Sequence, residues 1–239
     1  QIASRQIVWS WFLIAATLRI VTLVVGIVRW WILVRAQDIP FALRDAMRLG
    51  FLGHLFNYVL PGSVGGDVTK VVLTVREKPE AKAIVAATVV LDRLIGLYSL
   101  VLVGAAASVL HPSFWSHPEL RVVMLVFLGG SVAGLIGILF ALHPVALNSR
   151  VMTKLQTLPG VGSIVTELCR GVALYQTRRQ VLAVAVGLGL IIHLANISSL
   201  VCCTAALGMV EGPSWVTHLF IVPVAEIAAA FLPLPGGIG

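Results

Sequence analysis

Charge is what this sequence has least of. Only 11% of its 239 residues are Asp, Glu, Lys or Arg, against about a quarter in a soluble domain. Cysteine is scarce too: Cys169 stands alone and Cys202 and Cys203 are adjacent in an apolar run, so neither a disulfide framework nor a metal-ligand spacing is present. No Lys/Arg run interleaved with aromatics occurs, which removes the usual signature of nucleic-acid binding. The alternating pattern of an outer-membrane barrel is missing as well. No catalytic constellation emerges: Ser63 lies near Asp67 without a His close in sequence, and nucleophilic catalysis needs an adjacent base. Neither a Walker loop nor a dinucleotide fingerprint is found.

What is present is apolar length. Hydrophobic residues make up 59% of the chain, with a mean hydropathy of +1.00. Ile7–Val34, Ala83–Leu110, Val122–Leu142 and Val181–Leu207 each supply the roughly 20 residues that cross a bilayer core. Two shorter apolar segments, Phe41–Leu60 and His218–Leu232, each run into a Pro/Gly cluster. The fold class expected is all-α: one polytopic transmembrane domain over 1–239, with spans at 7–34, 83–110, 122–142 and 181–207 and re-entrant segments at 41–66 and 218–239. The sequence opens on Gln1 and closes on Gly239, so both ends look trimmed, which leaves room for a cleaved signal or an extra domain outside it.

Basic residues set the topology. The net charge is +7. Lys70, Arg76, Lys78 and Lys82 precede the second span, and Arg150, Lys154, Arg170, Arg178 and Arg179 lie between the third and fourth. The connections His111–Arg121 and Gly208–Thr217 hold one Arg and no Lys. Both basic connections are therefore expected in the cytoplasm and both sparse ones outside. Arg35, Arg44 and Arg48 before the break at Leu60 and Lys70 after it put both flanks of 41–66 on the same side. That segment is expected to enter and return as a hairpin. Residues Gly160–Arg179 carry an apolar face through Val161, Ile164, Val165, Leu168, Val172 and Tyr175, as a helix lying on the inner leaflet does, and as a plain connector does.

The break Leu60-Pro61-Gly62-Ser63-Val64-Gly65-Gly66 has an echo in Leu232-Pro233-Leu234-Pro235-Gly236-Gly237. Matched breaks of this kind mark inverted-repeat transporters and point to their substrate site; two ordinary loops are the plainer reading. At the first break, Asp67 is expected to cap a helix over Val68–Arg76. The N–H groups of Gly65, Gly66 and Val68, with Lys70 one turn on, form a candidate phosphate pocket. Asp67 opposes an anion, so it is expected to orient Lys70 or Arg93.

Asp92 and Arg93 lie inside a span. Arg93 is roughly 16 Å in from Lys82 by helical rise, where each charge costs about 2.5–3.5 kcal/mol. Neighbours on a helix diverge, so the two do not simply neutralise each other. A partner elsewhere is expected, and Asp67 is the candidate for Arg93. A structural salt bridge and a substrate contact both satisfy this. Glu226 is a third buried charge, suited to pairing with an Arg, carrying a proton or meeting a cationic group. His193 and Asn196, one turn apart, read as interhelical hydrogen-bond partners, and Gly130–Gly134 as a packing face.

The stretches "FNYVLPGSVGGDVTKVVL", "VVLDRLIGL" and "LPLPGGIG" resemble the lysylphosphatidylglycerol synthase transmembrane (flippase-like) family. The matching residues are Asn57, Leu60, Pro61, Gly65, Gly66, Asp67, Lys70 (where Arg is usual), Asp92, Arg93, Gly96, Pro235, Gly236, Gly237 and Gly239. The resemblance implies a multi-pass protein of a prokaryotic cytoplasmic membrane that handles lipids, with membrane lipids as partners and a lipid-modifying synthase domain or enzyme as a further one. It implies movement of an anionic, aminoacylated or polyprenyl-linked lipid between leaflets, without a cofactor or metal. A membrane enzyme transferring an aminoacyl or glycosyl group, with Asp67 as base, and a non-catalytic partner of such an enzyme remain alternatives. The substrate-contacting set is Asn57, Ser63, Gly65, Gly66, Asp67, Lys70, Asp92, Arg93, Glu226, Pro235, Gly236 and Gly237.

Overall fold

A computed structural model describes residues 7–59, 65–77, 82–143, 154, 156–157, 162–209 and 214–231. Among them are eight α-helices and no strand. In chain order these are α1 (Trp9–Arg35), α2 (Leu43–Val59), α3 (Gly65–Glu77), α4 (Lys82–Leu110), α5 (Pro118–Ala141), α6 (Gly162–Thr177), α7 (Arg179–Ala206) and α8 (Trp215–Phe231), with a 3-10 turn at Pro112–Ser116 before α5. α1, Ile84–Leu110 of α4, α5 and α7 are long and apolar enough to cross a membrane. A chain with so much apolar length has one economical way to satisfy its backbone in lipid, within each helix itself. The all-α polytopic fold expected from the sequence is the fold observed.

α1 and α7 run antiparallel along their whole length. Val8 N donates to Ala206 O (2.9 Å) at one end, Ser199 Oγ to Ala15 O (2.9 Å) along the way, and Arg178 Nη1 to Ala36 O (2.8 Å) at the other. α1 stops there because Asp38 takes a left-handed backbone, φ 58°, which a short acidic side chain tolerates better than most. Arg178 then grips the Asp38 carboxylate with Nη2 at 2.7 and 2.9 Å. α4 and α5 form the second antiparallel pair. Phe127 lies against Gly104, and Gly130 and Gly134 face Val101 and Tyr98, which is the packing role expected of that glycine pair.

α2 and α3 form a third antiparallel pair, shorter than the others. Trp31 Nε1 donates to Phe41 O (3.0 Å) where α2 begins. Trp30, Val34, Phe41, Ala46, Leu49, Val85 and Val89 share one buried cluster. The ends of α1 and α5, the start of α2, the start of α4 and the α6–α7 junction gather at one end of the bundle, with Gln176 Nε2 donating to Ala141 O (2.9 Å). Both Lys/Arg-rich connections therefore open at that end. At the other end Leu219, Phe220 and Val222 of α8 pack on Val103, Ala107, Met124 and Phe127. α8 begins at Trp215 and holds Pro223 inside it, which leaves one carbonyl of the preceding turn without its helical donor. The second predicted break, at Pro233–Gly239, lies outside the described residues.

α6 is tied down by Tyr175, whose hydroxyl donates to Leu33 O at 2.8 Å. Burial pushes this phenol up to about 12. The folded protein holds the proton more tightly than the unfolded chain, whose phenol titrates near 10. The bond's contribution is therefore complete below about pH 10 and is lost as pH rises towards about 12. Tyr175→Phe is expected to lower stability in detergent by about 1 kcal/mol at neutral pH and to flatten the alkaline limb of the melting-temperature profile. A variant with the wild-type profile would show that the bond contributes nothing.

Candidate functional site

The α2–α3 tip is built on two glycines. A Cβ on Gly66 would collide with the Gly53 carbonyl oxygen and with Asn57 Oδ1, so only glycine lets the two helices approach this closely. Asn57 Oδ1 accepts the Gly66 N–H at 2.7 Å. This corrects two expectations. α3 starts at Gly65, not Val68, so Asp67 is a first-turn residue and not the cap. Its charge is still favourable there, against the positive end of the helix dipole. And the Gly66 N–H, expected to face an anion, is committed to Asn57. The positive potential at the tip therefore comes from side chains more than from backbone.

Asp67 is buried, and its carboxylate serves two cations. Arg93 Nε donates to Oδ2, and Lys70 Nζ lies 3.5 Å from Oδ1. Lys70 also sits over the Trp30 ring, 5.5 Å from its centroid, within cation–π range. The Arg93 side chain is 50% exposed while that of Asp67 is 12% exposed. Two cations, Lys70 from α3 and Arg93 from α4, thus converge on one carboxylate at the tip.

Asp92 points elsewhere, as its one-residue offset from Arg93 on the helix requires. It meets Arg29 of α1 in a fork: Nε to Oδ1 at 2.7 Å and Nη2 to Oδ2 at 3.2 Å. Bidentate geometry of this kind is the strong form of the pair. Arg29 is buried, and its Nη1 has no hydrogen-bond partner. A Cβ at Gly189 would crowd both Nη1 and Ser99, so glycine keeps the guanidinium's place open.

Glu226 belongs to a second polar group. Asn196 Nδ2 donates to Glu226 Oε1, and Arg19 Nη1 donates to Asn196 Oδ1. His193 places Nδ1 3.3 Å from Glu226 Oε2 and Nε2 3.0 Å from Gly96 O. Gly96 is one turn beyond Asp92, so this group abuts the first through α4. Of the expected site residues, Asn57, Gly65, Gly66, Asp67, Lys70 and Arg93 come together at the tip. Asp92 joins Arg29, and Glu226 joins His193 and Asn196. Ser63, Pro235, Gly236 and Gly237 lie outside the described residues. Among the described residues no group of three His, Cys, Asp or Glu is placed to hold a metal.

Arg19 and Arg29 interrupt the first apolar run, and sequence reasoning did not assign them to the site. Their signal was available, since an Arg inside an apolar span needs a counter-charge or polar partner, but the partner's identity needs the register between helices. Asp92→Asn leaves Arg29 buried without its counter-charge. It is expected to cost about 3–5 kcal/mol, read as loss of folded protein on denaturation in lipid nanodiscs. Arg29→Met combined with Asp92→Leu is expected to recover most of that loss. Equal stability of Asp92→Asn and wild type would show that the pair is not needed for the fold.

Comparison with curated proteins and with solved structures gives no match. The family model described as the lysylphosphatidylglycerol synthase TM region matches residues 2–239. With four membrane-length helices in antiparallel pairs and a match over nearly every residue, this chain belongs to the lysylphosphatidylglycerol synthase TM region family, as a multi-pass membrane protein of lipid metabolism or transport.

Proposed function

We propose that this protein moves a lipid with an anionic phosphate headgroup between the leaflets of a prokaryotic cytoplasmic membrane. The observation that carries the reading is the convergence of two cations on one carboxylate. Lys70 from α3 and Arg93 from α4 both reach Asp67, in a setting where charge is expensive. A bound anion would complement that arrangement. A phosphodiester supplies one negative charge and several acceptors, and Arg93 is the exposed donor nearest the tip. Lys70 reaches the same point from α3, so the two cations bracket a phosphate while Asp67 holds both in place.

In this reading α2–α3 is a re-entrant hairpin open to the cytoplasm, and Lys/Arg-rich flanks support that sidedness. α8, which carries Glu226, is the counterpart that closes the site from the other face, giving an inverted pair of halves. The headgroup leaves one leaflet, meets Lys70 and Arg93, and passes towards Glu226 as access alternates. Aminoacylated phosphatidylglycerol and polyprenyl-linked lipids share the phosphate chemistry this site recognises.

Reconstitution into liposomes with headgroup-labelled phosphatidylglycerol tests the reading. Wild-type protein is expected to speed leaflet exchange, and Arg93→Ala or Lys70→Ala to slow it about tenfold or more, the loss of one charge-assisted hydrogen bond. Wild-type rates in folded Arg93→Ala and Lys70→Ala variants contradict the mechanism. A new lipid product formed from an activated aminoacyl or glycosyl donor would favour a transferase instead.

A further inference from the structure

We propose that His193 and Glu226 form a proton-binding site between α7 and α8, holding one proton more than a neutral imidazole and a carboxylate hold between them. His193 Nε2 lies 3.0 Å from the Gly96 carbonyl oxygen. A carbonyl only accepts, so Nε2 carries a hydrogen. In a neutral ring Nδ1 is then a bare lone pair. Yet Nδ1 lies 3.3 Å from Glu226 Oε2, and two acceptors at that distance repel. One added proton resolves the contact, either on Nδ1 as an imidazolium–carboxylate pair or on Oε2 as a neutral acid facing a neutral ring.

The other side of the carboxylate agrees. Arg19 only donates, so the Asn196 oxygen faces Arg19 and its amide nitrogen faces Glu226 Oε1. Oε1 is thereby fixed as an acceptor, and the variable proton is confined to the Oε2 side. The charged and titratable groups around the pair are Arg19 from α1, Asp92 and Arg93 one turn away on α4, and His218 on α8. Asp92 is held by Arg29, Arg93 by Asp67, and His218 by Ser214 O at 3.0 Å. α6 contributes Tyr175, which is committed to Leu33 O. Glu226 is 32% exposed and His193 only 13%, so Glu226 is the more accessible member of the pair and the one through which a proton arrives and leaves. Loading makes one N–H or O–H bond and breaks the corresponding bond in hydronium or a buffer acid.

The use of this proton rests on the anion reading above. Loading adds one positive charge beside α4, where His193 Nε2 meets the Gly96 carbonyl three residues beyond Arg93. Proton and phosphate then favour each other's binding, and by linkage the effect is reciprocal. Headgroup and proton cross together.

The full chain in nanodiscs, labelled with 15N-histidine, is expected to show His193 Nε2 protonated throughout. Infrared difference spectra between about pH 5 and about pH 9 are expected to report one proton lost at this pair. That loss is expected to vanish in His193→Gln and to move to lower pH in Glu226→Gln, where the imidazolium has lost its carboxylate. The histidine spectrum of the unsubstituted chain decides the matter even if neither variant folds. A bare Nε2, or a pair that exchanges no proton over that range, overturns the proposal. In liposomes with headgroup-labelled phosphatidylglycerol, a step of one pH unit is expected to shift the leaflet ratio about tenfold, and His193→Gln to abolish the shift. Exchange that ignores the step while the pair titrates overturns the coupling. Proton loss without any leaflet exchange in wild type sinks the lipid reading and leaves the proton site standing.

Discussion

The ion pair between Asp67 and Arg93 is the contact on which the rest of the arrangement depends. Arg93 is committed to the middle of α4 by its place in the chain, and a guanidinium at that depth requires an anion. The α2–α3 pair delivers one: Gly53 and Gly66 let its arms approach, and Asn57 closes on the Gly66 N–H. Asp67, the next residue, then stands at the height of Arg93. Lys70 completes the group from one turn further along, resting on Trp30.

The helices behind the tip are arranged by a second set of charges with a different character. Arg29 and Asp92 form a forked pair on the buried side of α4, and glycine at 189 makes room for it. This pair joins α1 to α4 in the way a structural salt bridge does. Arg93, one residue on, faces outwards and is half exposed. Adjacent residues on one helix thus reach different partners, Asp92 to Arg29 and Arg93 to Asp67. Glu226, Asn196, His193 and Arg19 extend the polar path from α4 through Gly96 to α7, α8 and α1.

Much of this was legible because bilayer thickness and charge cost are strong constraints. Apolar runs of more than 20 residues leave little choice but spanning helices, and the four expected spans match α1, α4, α5 and α7 within a few residues. The Asp67–Arg93 pair was anticipated as a candidate: Asp92 and Arg93 diverge on their helix, so at least one needed a partner elsewhere. What stayed hidden is what depends on register between helices. Nothing in Arg29's local sequence says that Asp92, 63 residues away, will meet it. The same is true of Arg19 and Asn196. The helix start at Gly65 was misplaced because the acceptor for Gly66 comes from Asn57 on another helix, which a reading of local capping signals does not see.

The central claim is that α2–α3 enters and returns on the cytoplasmic face, carrying Asp67 to Arg93 at its tip. Sided labelling tests it most directly. In intact cells and inside-out vesicles, with Cys169, Cys202 and Cys203 replaced, single cysteines at Arg44 and at Arg76 would be probed with a membrane-impermeant maleimide. The account predicts that both label from the cytoplasmic face alone. Labelling of Arg44 and Arg76 positions from opposite faces would mean that the segment crosses the membrane, and the hairpin would be contradicted.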